Sequence, residues 1–127
     1  PPMNLLKATV GDGGARLTAG AFTAPVPEAL RGPLGPHAGR EVLVGIRPEH
    51  VGEAGAHDWP HSARVKGSAE IVETIGHEVI VHLRCGEDLI VAKLGAHRVP
   101  GFGETMEIEL DCSALHLFDP ATEQRIG

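Results

Sequence analysis

The sequence predicts an all-β chain curled into one small barrel or a pair of them. Three observations carry that expectation. Seventeen Gly and ten Pro punctuate 127 residues, which favours many short strands over long helices. Period-two alternation is clean at several places, as in Met106-Glu107-Ile108-Glu109-Leu110-Asp111, so one face there is buried and the other wet. The apolar fraction is 42%, enough for a core in a domain that buries roughly two thirds of its unfolded surface.

The elements follow in order. Residues 3–10 and 15–19 read as a hairpin around Gly11-Asp12-Gly13-Gly14. Residues 20–40 are Pro/Gly-rich and weakly patterned: a long loop with a short helical turn near Glu28-Ala29-Leu30. Glu41 to Ile46 reads as a strand ended by Arg47-Pro48, because Pro cannot donate to a ladder. Residues 52–62 read as a second loop. Residues 63–74 read as a long strand in which Gly67 marks a bulge. Gly76-His77 and Cys85-Gly86-Glu87 are turns, so 63–94 is a three-stranded antiparallel meander. Residues 95–103 form a Gly/Pro loop before the acid-faced strand. No repeat at a fixed period is present. The architecture that fits is a small barrel, or a pair of barrels, of the OB type, with 52–61 as the link between approximate halves 1–51 and 62–127.

Charge and composition narrow the chemistry. Eleven basic and seventeen acidic residues give a net charge of −6. Lys7, Lys66 and Lys93 are the only lysines, and phosphate binding rests on clustered Lys and Arg. Phe22, Trp59, Phe102 and Phe118 are the only aromatics, so platforms for stacking bases are few. No nucleic-acid partner is expected. No apolar run approaches the ~20 residues of a membrane helix. Cys85 and Cys112 match no zinc spacing, and two thiols fit a reducing cytoplasm.

Candidate catalytic motifs are weighed one by one. A phosphate loop needs lysine directly after glycine. Here Leu6, Val65 and Ala92 precede the three lysines, so no such loop exists in this sequence. His77-Glu78-Val79-Ile80-Val81-His82 is one residue too long for a zinc-protease helix, and in a strand its two histidines point to opposite faces. It reads as surface histidines flanking a turn. His57-Asp58-Trp59-Pro60-His61 is the densest set of ligand-type residues, but Pro60 prevents a helical pair. It reads as a solvated loop with Trp59 tucked against the barrel. Cys85 lies beside Arg84, and His116 lies near Cys112, yet neither context builds a nucleophile; both thiols are expected to be inert. Glu104, Glu107, Glu109 and Asp111 form an acidic stripe, expected to be a solvated strand face.

Three patches are more specific. Gly45-Ile46-Arg47-Pro48-Glu49-His50 follows a predicted strand, Leu117-Phe118-Asp119 lies near the C-terminus, and Pro1-Pro2-Met3-Asn4 opens the chain. In this order and spacing they resemble the C-terminal regulatory domain of ATP-binding subunits of ABC importers, of the carbohydrate class that imports maltose-type oligosaccharides or glycerol phosphate. Residues 70–78 also resemble that family's strand–turn core, so the likeness spans nearly the whole chain.

The resemblance implies two intertwined OB-type subdomains of antiparallel strands, with the approximate halves interleaved, and a non-catalytic regulatory and dimerisation domain that couples subunit contacts to the ATP-driven cycle. It implies that the ATP- and Mg-binding elements lie upstream, with no cofactor in this fragment, and the abrupt Pro-Pro-Met-Asn start fits that. Implied partners are a second copy of the ATPase subunit, membrane permease subunits reached through the missing domain, and a regulatory protein. The implied location is cytoplasmic, at the inner face of the membrane. The alternative is a small-ligand OB module that binds an oxyanion, although no Ser/Thr-rich, Lys-bearing turn is evident to build such a site.

The motif residues Gly45, Ile46, Arg47, Pro48, Glu49, His50, Leu117, Phe118 and Asp119 are expected to be structural or to touch a partner. In the structural version, Arg47 makes a bidentate pair with Asp119 or a nearby acid, and Phe118 packs in the core.

Overall fold

The computed structural model describes residues 2–127. Two antiparallel sheets share one hydrophobic core. The first sheet contains β1 (Asn4–Gly11), β2 (Arg16–Thr18), β3 (Thr23–Pro25), β4 (Glu41–Ile46), β10 (His116–Phe118) and β11 (Arg125–Ile126). Its strand order is β11-β10-β4-β1-β2-β3. The second contains β5 (Val51–Glu53), β6 (Ser62–Ile75), β7 (Glu78–Cys85), β8 (Asp88–Gly95) and β9 (Thr105–Asp111), in the order β5-β9-β6-β7-β8. The chain thus leaves the first sheet after Ile46, builds the whole second sheet, and returns at His116. Of the last two strands, β10 pairs with β4, and β11 pairs with β10.

Alternation sets which way each strand faces. Leu6, Ala8 and Val10 of β1, Val42, Val44 and Ile46 of β4, and Leu117 of β10 are buried, while Leu5, Lys7 and Thr9 point outward. Val81, Leu83, Ile90, Ala92, Ile108 and Leu110 close the core from the second sheet.

The expected meander 63–94 is present as β6, β7 and β8. Its two turns are two residues long: Ile75 faces Glu78 across Gly76-His77, and Cys85 faces Asp88 across Gly86-Glu87. Gly76 and Gly86 have φ of 60° and 63°, the left-handed backbone that tight hairpin turns demand of their first residue.

Gly67 is not the bulge. The register of β6 against β7 shifts between Ala69 and Ile71, three residues further on, where β9 has ended. There Ala69 pairs with the 101–104 loop instead: its N–H donates to the Glu104 carbonyl and its carbonyl accepts from Gly103. Gly67 serves close approach. A Cβ there would lie 2.6 Å from Cys85 Sγ and 2.8 Å from the Arg84 carbonyl oxygen.

Two loops hold more structure than the sequence suggested. Residues 20–40 contain β3 and a seven-residue helix, α1 (Glu28–Leu34). Pro25 is tolerated because β3 is an edge strand, and α1 buries only Leu34, so no helical period shows. The 52–62 segment begins inside β5, which pairs with β9.

Candidate functional site

The most specific sequence patch sits at the exit of β4. Ile46 ends the strand fully buried, and Arg47 is extended, φ −77° and ψ 148°, as a residue before proline must be. Pro48–His50 forms a single 3-10 turn closed by His50 N–H donating to the Arg47 carbonyl at 2.9 Å. Glu49 is exposed and His50 half-buried.

Arg47 is exposed, and among the described residues no ion pair involves it. The expected pair with Asp119 does not form, and the strand register explains why. Phe118 faces Leu43 and His116 faces Gly45, so Asp119 lies beyond one end of the β4–β10 pair and Arg47 beyond the other. Five residues of strand separate their levels, about 16 Å. Asp119 instead closes its own turn, accepting from Ala121 N–H at 2.8 Å and Thr122 N–H at 3.2 Å. Those backbone donors hold its carboxyl below the ordinary carboxylate value.

Phe118 is not in the core. Leu117 takes the inward position at 1% exposure, and Phe118 lies half-buried on the outer face of the first sheet. There it lines a groove of about 250 Å³ with Met3, Leu5, Leu43 and Glu123. Gly45 makes the groove possible. A Cβ at Gly45 would meet Met3 Sδ at 2.8 Å, Met3 Cε at 2.9 Å and Phe118 Cε2 at 3.2 Å. Both side chains therefore settle directly onto the bare backbone, and three separate sequence patches meet on one surface.

Glu123 is the charged residue in the lining, and basic side chains lie beside the groove. Arg125 faces Phe118 across β10–β11 and donates to His116 Nδ1 at 2.7 Å. Arginine only donates, so that imidazole nitrogen is the acceptor. Burial first, then the charges of Arg125, Arg47 and His50, hold the His116 pKa below its ordinary value.

A two-pronged hydrogen bond positions the groove against the second sheet. Asn4, buried at 6% exposure, donates from Nδ2 to the Val91 carbonyl at 2.9 Å and accepts at Oδ1 from Val91 N–H at 2.8 Å. Its side-chain amide behaves as one more peptide unit on the open edge of β8. Sequence reasoning noticed the Met3-Asn4 pair and did not foresee this role.

The other candidates resolve as follows. The acidic stripe is not uniformly solvated. Glu109 is buried and accepts from Gly55 N–H at 3.1 Å. Hydrogen bonds from Ser62 and then Gly55 lower its pKa. Glu104 binds Arg98, which also reaches Glu53 at 3.5 Å, and Glu107 lies 3.6 Å from Arg64. His57 stacks flat on Trp59, centroids 4.2 Å apart. Among the described residues no group of three His, Cys, Asp or Glu side chains is placed to hold a metal. His82 is half-buried beside Glu73, and His77 is exposed in its turn. Burial pushes the Cys85 thiol up to about 11 and the Cys112 thiol to about 12. A second groove is lined by Lys7, Thr9, Thr18, Glu41, Glu87 and Asp88 among others.

Comparison with known proteins places this chain in a family. Residues 1–51 match the family model described as MalK OB fold domain, and residues 44–118 match the TOBE domain. The chain is 38% identical over 88 residues to the sulfoquinovosyl glycerol transport ATP-binding protein of Agrobacterium fabrum, covering 69% of this chain and 24% of that one. It is 36% identical over 128 residues to the sn-glycerol-3-phosphate import ATP-binding protein of Paraburkholderia xenovorans, covering 98% and 34%. The protein of the same name from Salmonella typhi is 32% identical over 127 residues, covering 99% and 33%. The chain thus spans about a third of the length of these relatives, or less. In fold it is similar to the solved cytoplasmic molybdate-binding protein ModG, with a TM-score of 0.65 and 17% identity over 92% of this chain and 96% of that one. The two sheets, the motif at the end of β4 and the paired domain matches lead to one conclusion: this chain belongs to the TOBE-domain family, with the OB-type fold found in ATP-binding subunits of sugar-type ABC importers.

Proposed function

We propose that the chain is the non-catalytic regulatory and dimerisation domain of such a subunit, coupling contacts between two subunits to the ATP-driven transport cycle. The single observation that carries this reading is the surface built by the family patches. Phe118 lines an open groove seated over Gly45, and Arg47 is exposed next to it, with no ion pair among the described residues. A surface of this composition is suited to contact with another chain. Residues 1–51 and 62–127 act as interleaved halves. The ATP and Mg chemistry belongs to a further part of the full-length subunit, which also meets the membrane permease, at the cytoplasmic face. A regulatory protein is a further partner of this domain.

Sedimentation equilibrium of the 127-residue chain over a wide concentration range tests the dimerisation part. A concentration-dependent dimer supports it. A strict monomer at every concentration moves the coupling to other parts of the subunit and removes self-association from this domain's role.

The oxyanion alternative draws only on the fold it shares with the molybdate-binding neighbour. One polar groove carries Glu41, Glu87 and Asp88 against Lys7, and carboxylates disfavour an anion; a second sets Asp119 beside His37 and Arg125. Calorimetry with molybdate is expected to be silent; a saturable heat would reinstate this reading.

A further inference from the structure

The groove over Gly45 has an apolar floor, with Glu123 in its lining and two arginines flanking it. Met3, Leu5, Leu43 and Phe118 form the floor, and Leu5 alone is 57% exposed. Arg125 flanks Phe118. Asn4 faces Ile46, which puts Arg47 at the level of Met3, at the opposite end. His116 lies between the two arginines, close enough to feel Arg125, Arg47 and His50. Glu123 is the one acid in the lining. In a chain of net charge −6, two exposed arginines on one face with no carboxylate partner among the described residues are a local reversal of sign.

We infer that this groove receives a segment of another polypeptide that carries a large apolar side chain between carboxylates. The inference rests on the regulatory-domain reading above and names the chemistry of the partner it leaves open. The apolar side chain covers the floor and releases its water. The flanking carboxylates take the guanidinium groups of Arg47 and Arg125, in the forked geometry arginine favours. Arg125 is already oriented by its bond to the neutral acceptor His116, so its remaining donors face out. The two arginines are two strands and four residues apart, about 16 Å between backbones, with His116 between them and the apolar floor running alongside. That spacing suits two acids on either side of an anchor better than one compact anion.

The test is an NMR titration of the isotope-labelled chain with an end-blocked hexapeptide, Leu-Phe flanked on each side by two aspartates. Two controls run beside it: the same peptide with lysines for the aspartates, and inorganic phosphate. Shifts confined to residues 3–7, 43–47 and 116–125 are expected. The lysine peptide should bind at least about tenfold more weakly, since two rim charge pairs become repulsions. The double variant Arg47→Glu with Arg125→Glu, both at exposed positions, should reverse that preference.

Equal binding of both peptides, shifts elsewhere, or no shifts at millimolar peptide overturn the inference. So does phosphate that reproduces the shifts and displaces the peptide, which would make this an anion site. Sedimentation of the same samples separates the two readings. A dimer that persists while the acidic peptide is silent leaves the regulatory reading standing and removes the partner class. A monomer that binds the acidic peptide at this groove keeps the partner class and removes self-association.

Discussion

Asn4 and Val91 exchange two hydrogen bonds, 2.9 Å and 2.8 Å long, between the first strand of one sheet and the edge strand of the other. The contact joins residues 87 positions apart. It lets a side chain do what a neighbouring strand would otherwise do for β8.

Asn4→Ala removes both bonds and leaves Val91 with an unpaired donor and acceptor. A loss of about 1–3 kcal/mol is expected in urea unfolding. Asn4→Asp keeps only the acceptor and sets a carboxylate against the Val91 carbonyl, so it should be no better than alanine at neutral pH.

Gly45 and Gly67 look alike in sequence and differ in what a methyl group would strike. At Gly45 the nearest atoms are the flexible end of Met3 and the edge of Phe118; at Gly67 they are Cys85 Sγ and the Arg84 backbone. Gly67→Ala should cost about 1–3 kcal/mol, the range for overpacking a closed site. Gly45→Ala should cost less than about 1 kcal/mol, and adding Met3→Ala should relieve it. Equal losses at the two glycines would contradict this packing.

The thiols give a chemical readout of core integrity. With Cys85 raised to about 11 and Cys112 to about 12, thiolate is scarce and access is closed. At pH 8, Ellman's reagent should react with the native chain slower than with a free thiol by about two orders of magnitude. Two thiols should appear at once in guanidinium chloride. Fast reaction of either one in the native state would show that its strand opens readily.

His116 makes stability depend on pH in a definite direction. Its pKa in the fold is lowered, by burial first and then by Arg125, Arg47 and His50. The unfolded chain therefore takes up that proton first as pH falls. The contribution is present in full above the ordinary histidine value of about 6.5, and is lost as pH falls through the lowered pKa. Protonation also costs the bond from Arg125, because Nδ1 can no longer accept. His116→Gln should lose less stability than the parent chain between pH 7 and pH 5. Parallel curves would show that His116 does not report on this cluster.

Much of the fold was legible because it is written in local periodicity. The alternation in 106–111 and 79–84, the two-residue turns at 76–77 and 86–87, and the strand ended by Arg47-Pro48 each depend on neighbours along the chain. By itself the sequence also determined the absence of a phosphate loop within these residues, and the set of patches that relates the chain to its family.

What only the tertiary structure decided is where those patches meet. β10 pairs with β4 across some seventy residues of intervening chain, and nothing in Leu117-Phe118-Asp119 states its register. That register sets Phe118 outward beside Arg125 and over Gly45, and it carries Asp119 out of reach of Arg47. Burial of Glu109 and the reach of Asn4 to Val91 have the same origin. A residue's neighbours along the chain fix which way it points, whereas its partners across a sheet depend on how the chain returns. Only the folded chain holds that second kind of distance.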